Sequence, residues 1–186
     1  MTPATYTFDG RMAMSAGVSA NASVMEILLE NIPGAIDATA ANTRDDRQGT
    51  DWWVEIVGNG ERRRVSVDVK VRAEDFARHG KDDLALETWS ILNESPGWTR
   101  DPRKRTDYIL WVWMDTGRWC LVPFLMLCGV FTDKWQEWRG AYQHAVQKTL
   151  PRGPGENGWH SECVFVPRKV VWRSIYERYG GDLSYG

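Results

Sequence analysis

From Val65 to Val71 every second residue is valine, and Ser66, Asp68, Lys70 and Arg72 fill the other positions through the end of the run. A period of two predicts a strand with one apolar and one polar face, so Asp68 and Lys70 point the same way. Upstream, Trp52, Val54 and Ile56 alternate with Asp51, Trp53, Glu55 and Val57, and Gly58-Asn59-Gly60 separates the two runs. Asn-Gly between alternating runs predicts a hairpin closed by a two-residue turn. With Asn59 and Gly60 at the turn, Val54 faces Val65, Trp52 faces Val67 and Asp51 faces Asp68.

The remaining pattern surrounds this hairpin with further elements. Val24, Ile27 and Leu28 sit at helical spacing, Ser23-x-x-Glu26 fits a capping box, and Pro33-Gly34 stops the helix. The polar stretch from Asp37 to Gln48 reads as a loop, and Ala73 to Lys81 as a short polar connection or a single helical turn. Asp83 to Trp89 predicts a third strand with Ala85, Glu87 and Trp89 on one face, and Glu87 comes near Asp68 if that strand pairs beside the Asp68 strand. Ser95 to Thr106 is a loop by its Pro and Gly content. Tyr108 to Trp113 and Trp119 to Val122 form a second hairpin around Asp115-Thr116-Gly117, apolar on both faces and so assigned to the sheet centre. Phe124 to Phe131 predicts a core helix, and Lys134 to Lys148 a second one bearing a stripe of Trp135, Trp138, Tyr142, Ala145 and Val146. A Pro/Gly-rich loop at 150–158, a strand from Glu162 to Val166 and a last helix from about Lys169 to Tyr179 complete the chain. Residues 1–20 have no clear period and read as a loose arm or an early strand around Tyr6 to Phe8, and residues 180–186 as a frayed tail. The class this implies is α/β: a central mixed, largely antiparallel sheet flanked by helices.

Composition narrows the setting. At 186 residues, 42% hydrophobic and 26% charged, the chain reads as one globular domain over 1–186. Even the apolar stretch from Trp119 to Phe131 is interrupted by Pro123 and Gly129, so no membrane partner is expected, and the first residues lack a signal-peptide pattern. The expectation is a soluble, cytoplasmic protein. The three cysteines, Cys120, Cys128 and Cys163, have no CxxC spacing and read as small buried hydrophobes rather than a zinc knuckle or a disulfide framework. A net charge of −2 gives no overall basicity, so any nucleic-acid contact must come from local patches.

The candidate chemistry starts from the predicted register. Directly opposed carboxylates at Asp51 and Asp68 would have stems roughly 4.5–5.5 Å apart and repel each other. A divalent cation relieves that repulsion, and carboxylate oxygens are what Mg²⁺ uses. A plain alternative is a solvated strand face on which Lys70 neutralises Asp68. An aspartate heading one strand, followed on the next by Asp68-Val69-Lys70, resembles the PD-(D/E)xK nuclease superfamily, also called restriction-endonuclease-like. The resemblance implies a restriction-endonuclease-like fold over about residues 20–125 and a Mg²⁺-dependent deoxyribonuclease that also accepts Mn²⁺. It makes Asp51, Asp68 and the Val69 carbonyl metal ligands and Lys70 the group that positions the attacking water. Gly49-Thr50 departs from that pattern where a proline is expected. In that superfamily the helix before the first catalytic strand supplies a glutamate; Glu26 takes that role, with Glu30 one turn later as its competitor and Glu87 as an auxiliary acid. For each glutamate the competing reading is a helix cap, a solvated face or a salt bridge.

Trp98, Arg100, Arg103, Lys104 and Arg105 gather an aromatic and four cations in one loop, as a phosphate-tracking, base-stacking DNA contact would. His160-x-Glu162 with Cys163 lacks the Pro-Cys-x-x-Cys of zinc deaminases, and no phosphate-binding glycine loop or serine elbow is visible. The second reading is a catalytically inactive module that binds nucleic acid or a protein through its basic loop and some of its eleven tryptophans. Homodimerisation, and endo- against exonucleolytic cleavage, stay open.

Overall fold

The computed structural model describes residues 4–6, 22–42, 45, 49–150 and 158–180. Most of the N-terminal arm, the body of the 150–158 loop and the tail thus lie outside the described residues. The fold is α/β, with two five-stranded sheets and three α-helices among the described residues. The chain divides into two compact units, each with a sheet of its own.

The unit made of Arg11–Asp75 and Arg103–Phe124 carries the hairpin. It contains α1 (Ala22–Asn31), β2 (Ala35–Ala40), β3 (Trp52–Gly58), β4 (Glu61–Arg72), β7 (Tyr108–Trp113) and β8 (Trp119–Pro123), with strand order β2-β3-β4-β7-β8. Asn59 and Gly60 have φ of 54° and 79°, the left-handed pair that a twist-matched two-residue turn requires. The ladder runs from Gly58↔Glu61 to Trp52↔Val67, the register that the turn predicted. β7 pairs parallel to β4, Val67 opposite Tyr108 and Arg72 opposite Trp113, which makes the sheet mixed. The valine face of β4 packs with Trp52, Val54 and Ile56 of β3, Leu110 and Val112 of β7, and Val24, Leu28 and Ile32 of α1. Burying each such side chain stabilises by about 1.5–3 kcal/mol, enough to fix which face of β4 turns inward. Asp68 and Lys70 are therefore held on the face away from α1.

The other unit, Met1–Gly10 with Phe76–Pro102 and Leu125–Gly186, holds β1 (Ala4–Tyr6), β5 (Asp83–Ile91), β6 (Ser95–Pro96), β9 (His144–Thr149) and β10 (Trp159–Pro167) in the order β1-β9-β10-β5-β6. These pairings are antiparallel except β1 with β9. Its helices are α2 (Phe124–Ala141) and α3 (Arg168–Tyr179). A Cβ at Gly129 would overlap the Tyr179 hydroxyl, so this glycine leaves room for the end of that side chain.

Several expectations are corrected. Asp37 lies in β2 rather than a loop, because the small residues of Ala35–Ala40 find a ladder along β3 despite weak strand propensity. β8 is an edge strand; only β7 of the second hairpin is central. The helix begun at Phe124 continues through Ala141, and His144–Thr149 is strand β9: its short apolar run suited either structure, and pairing with β10 decided it. β5 does not adjoin β4 but pairs with β10 and β6, which takes Glu87 out of the sheet that carries Asp68.

Candidate active site

The site is built where β3 begins, beside the middle of β4. Asp51, one residue before β3, donates its N–H to the Val67 carbonyl at 2.8 Å, and its Oδ2 accepts the Val69 N–H at 2.6 Å. The regular ladder stops at Trp52↔Val67, and Asp51 continues it with its carboxylate standing in for a backbone carbonyl. Asp51 thus bonds the residues on either side of Asp68, and the two aspartates are neighbours across the strand pair. Val69, 2% exposed, has its side chain in the core and its N–H on Asp51.

Asp68 is 3% exposed, so the strand face is not solvated there, while the other half of the plain alternative, Lys70 neutralising Asp68, is present. Its Oδ1 lies 2.8 Å from the Lys70 ammonium, two residues along the same face, and its Oδ2 lies 2.7 Å from the Lys104 ammonium. Burial pushes the Asp68 carboxyl up, and Lys70 and then Lys104 outweigh it, holding the group below the usual carboxylate range. Oδ2 is fully buried and, although in ionic contact with Lys104, has no hydrogen bond of good alignment.

Lys104 belongs to the chain leading into β7, and neighbouring bonds fix its place. Thr106 donates its hydroxyl to the Gly49 carbonyl at 2.7 Å, and Asp107 accepts both the N–H and the hydroxyl of Ser66 at 2.7 and 2.9 Å. Gly49 has φ of 85°, and a Cβ there would overlap the Lys104 ammonium. Buried Thr50 donates its N–H to the Asp45 carbonyl at 3.1 Å, a bond that proline could not make. The Gly49-Thr50 departure from the motif therefore has a local cause: a left-handed backbone, a seated ammonium and an N–H in use.

The other sequence-predicted residues fall elsewhere. Glu26 and Glu30 are exposed on α1, whose buried residues pack on the valine face of the sheet. Among the described residues no three His, Cys, Asp or Glu side chains cluster as a metal cage, so neither glutamate joins the aspartates in such a group. Glu87 accepts the Trp98 N–H at 3.0 Å and donates its own N–H to the Thr99 hydroxyl, folding the 95–100 loop onto β5. Arg100 is sandwiched between the Trp89 and Trp135 rings, 4.2 Å from each centroid, and donates to the Thr88 carbonyl. Burial lowers its guanidinium pKa, and this packing takes it out of the predicted phosphate grip. Trp98 is half-buried in the same turn, while Arg103 and Arg105 are exposed.

Sequence reasoning missed Lys104 as a partner of Asp68, and no local signal marks it, since the contact joins residues distant in sequence. Glu162, 1% exposed, is weighed from sequence only as part of a zinc motif, and its buried ion pair has no sequence signal. It receives two bonds from Arg139 at 2.8 and 2.9 Å and the Thr88 hydroxyl at 2.7 Å. Burial raises its carboxyl, and Arg139, Thr88 and His144 together bring it below the ordinary value; its oxygens are engaged and the role is structural.

Two neighbouring carboxylates, one of them with a buried oxygen that lacks an aligned hydrogen bond, are oxygen donors of the kind Mg²⁺ takes, since it binds through one or two carboxylates and keeps waters or phosphate for the rest. No helix among the described residues is long and apolar enough to cross a membrane. A scan against protein-family models, a search of curated proteins and a search of solved structures each return no match.

Proposed function

We propose that this protein is a metal-dependent nuclease of the PD-(D/E)xK, restriction-endonuclease-like type that hydrolyses phosphodiester bonds of DNA. The observation that carries the reading is the Asp51–Asp68–Lys70 arrangement: a buried carboxylate, a lysine 2.8 Å from it and a second carboxylate bonded beside it. Asp51 and Asp68, with the Val69 carbonyl, would hold the cation. Mg²⁺ bound there, or Mn²⁺ in its place, would supply a water of lowered pKa and charge stabilisation at the scissile phosphate.

Lys70, partly exposed, extends from Asp68 toward solvent and would orient the attacking water and meet the developing negative charge. Exposed Arg103 and Arg105 would track the phosphate backbone. Glu26 and Glu30 have no part in this version of the site.

The experiment is cleavage of plasmid and linear DNA with Mg²⁺, Mn²⁺ or EDTA. Wild-type protein should cut with metal, and Asp68→Ala and Lys70→Met, checked for folding by circular dichroism, should each lose activity by about 10²-fold or more. Full cleavage by both folded variants removes the assignment.

One observation favours the inactive binding module instead: both Asp68 oxygens already face a lysine ammonium, those of Lys70 and Lys104. On that reading calorimetric titration gives no Mg²⁺ binding that depends on Asp51, while DNA binding persists in EDTA.

A further inference from the structure

Two lysines meet one buried carboxylate, and they reach it differently. Lys70 is fixed by strand alternation on β4. Lys104 arrives on a separate segment, its ammonium in the space left by Gly49 and its side chain 11% exposed. The Thr106 hydroxyl and the Asp107 carboxylate anchor that segment just after Lys104, and its immediate neighbours Arg103 and Arg105 are exposed. The ammonium therefore sits on a flexible four-carbon stem between a pinned segment and a cationic surface. Its partner Oδ2 has an ionic contact without an aligned hydrogen bond, the kind of contact another cation can replace.

Charge sharpens this. Asp51 and Asp68 balance Lys70 and Lys104 as they stand. A divalent ion added to that set leaves two uncompensated positive charges in a largely buried place, which is costly. A phosphate arriving with the metal offers Lys104 another anion and offsets the excess.

We infer that Lys104 is an exchangeable counter-ion for Asp68: it holds the metal-ligand oxygen while no nucleic acid is bound and moves to a substrate phosphate as the cation enters. This rests on the metal-site reading above and adds a substrate-binding and regulatory role for Lys104. Linkage makes the coupling reciprocal, so phosphate tightens metal binding and metal tightens phosphate binding. The device weakens the binding of free metal until nucleic acid is present.

The test is Mn²⁺ binding followed by electron paramagnetic resonance of the free ion. Wild type, Lys104→Met and both in the Asp51→Asn background are compared, with and without a deoxynucleoside 5′-monophosphate, which offers a phosphate and no diester to cleave. Lys104→Met should bind Mn²⁺ about ten-fold tighter than wild type without nucleotide, the size of a typical coupling. The nucleotide should tighten Mn²⁺ in wild type at matched free metal and do so much less in the variant, and Asp51→Asn should abolish both effects. Equal Mn²⁺ affinity in wild type and Lys104→Met, still sensitive to Asp51, overturns the role of Lys104 and leaves the metal site standing. No Asp51-sensitive Mn²⁺ binding in any protein overturns the metal site itself, and this inference with it. Lys104→Gln replaces Lys104→Met if the latter does not fold, and a wild type that ignores the nucleotide overturns the exchange without either variant.

Discussion

The Asp51 carboxylate accepts the Val69 N–H at 2.6 Å, and that bond needs an oxygen, not a charge. The two properties can be separated by substitution. Asp51→Asn keeps an acceptor, so it should leave urea stability nearly unchanged while metal binding is lost. Asp51→Ala leaves a buried N–H unpaired and should cost about 1–3 kcal/mol. If the two variants are equally stable by urea denaturation, the carboxylate is not closing the strand end. Asp68 makes a pH-dependent contribution whose sign follows from its environment. Its folded carboxyl lies below the usual range, so its ion pairs stabilise fully above the ordinary carboxylate pKa and the contribution is lost as pH falls through the folded value. Asp68→Asn should thus be less stable than wild type at neutral pH, by about 3–5 kcal/mol if removing one partner strands the lysines as in other buried pairs. The gap should close in acid. A gap that stays constant from neutral to acidic pH contradicts the lowered carboxyl.

At the scale of elements, the β3–β4 hairpin was legible because two short-range rules coincide there. The Asn59-Gly60 turn sets the register, and the valine alternation sets which face is buried. Those rules reach as far as Trp52. At Asp51 the side chain takes over a backbone role, which no periodicity announces, and the expected direct pairing became a bond to Val69. Asp51, Asp68 and Lys70, on which the proposed function rests, could be grouped from sequence for the same reason as the hairpin: all three lie on or next to it. Lys104 and Glu87 were misplaced because their positions depend on which strands meet across the chain. The parallel pairing of β4 with β7 brings Thr106 to Gly49 and Asp107 to Ser66, and so seats Lys104 on Asp68. Arg100 read as a surface cation because Trp89 and Trp135, on β5 and α2, are far from it or from each other in sequence. His144–Thr149 was assigned to the wrong element because six residues cannot distinguish a helix end from a strand without a partner.

At the scale of the whole molecule, a net charge of −2 puts phosphate contacts in local basic patches rather than in an overall basic surface, and the number of those contacts sets the dependence on salt. The basic loop divides in this respect. Arg100 is engaged by two indole rings and a carbonyl, and Lys104 by Asp68, whereas Arg105 is exposed. A cation that contacts a phosphate releases counter-ions on binding, so its removal lowers the slope of log affinity against log salt by about 0.9 on duplex DNA. Arg105→Gln should show that decrease in a fluorescence-anisotropy salt titration, with the melting temperature unchanged. Arg100→Gln should do the reverse: the slope is kept, and stability falls because the aromatic sandwich loses its cation. A slope that drops with Arg100→Gln and not with Arg105→Gln would mean that the guanidinium between the tryptophans leaves its seat to reach the phosphates, and that the stack is a binding device rather than part of the core.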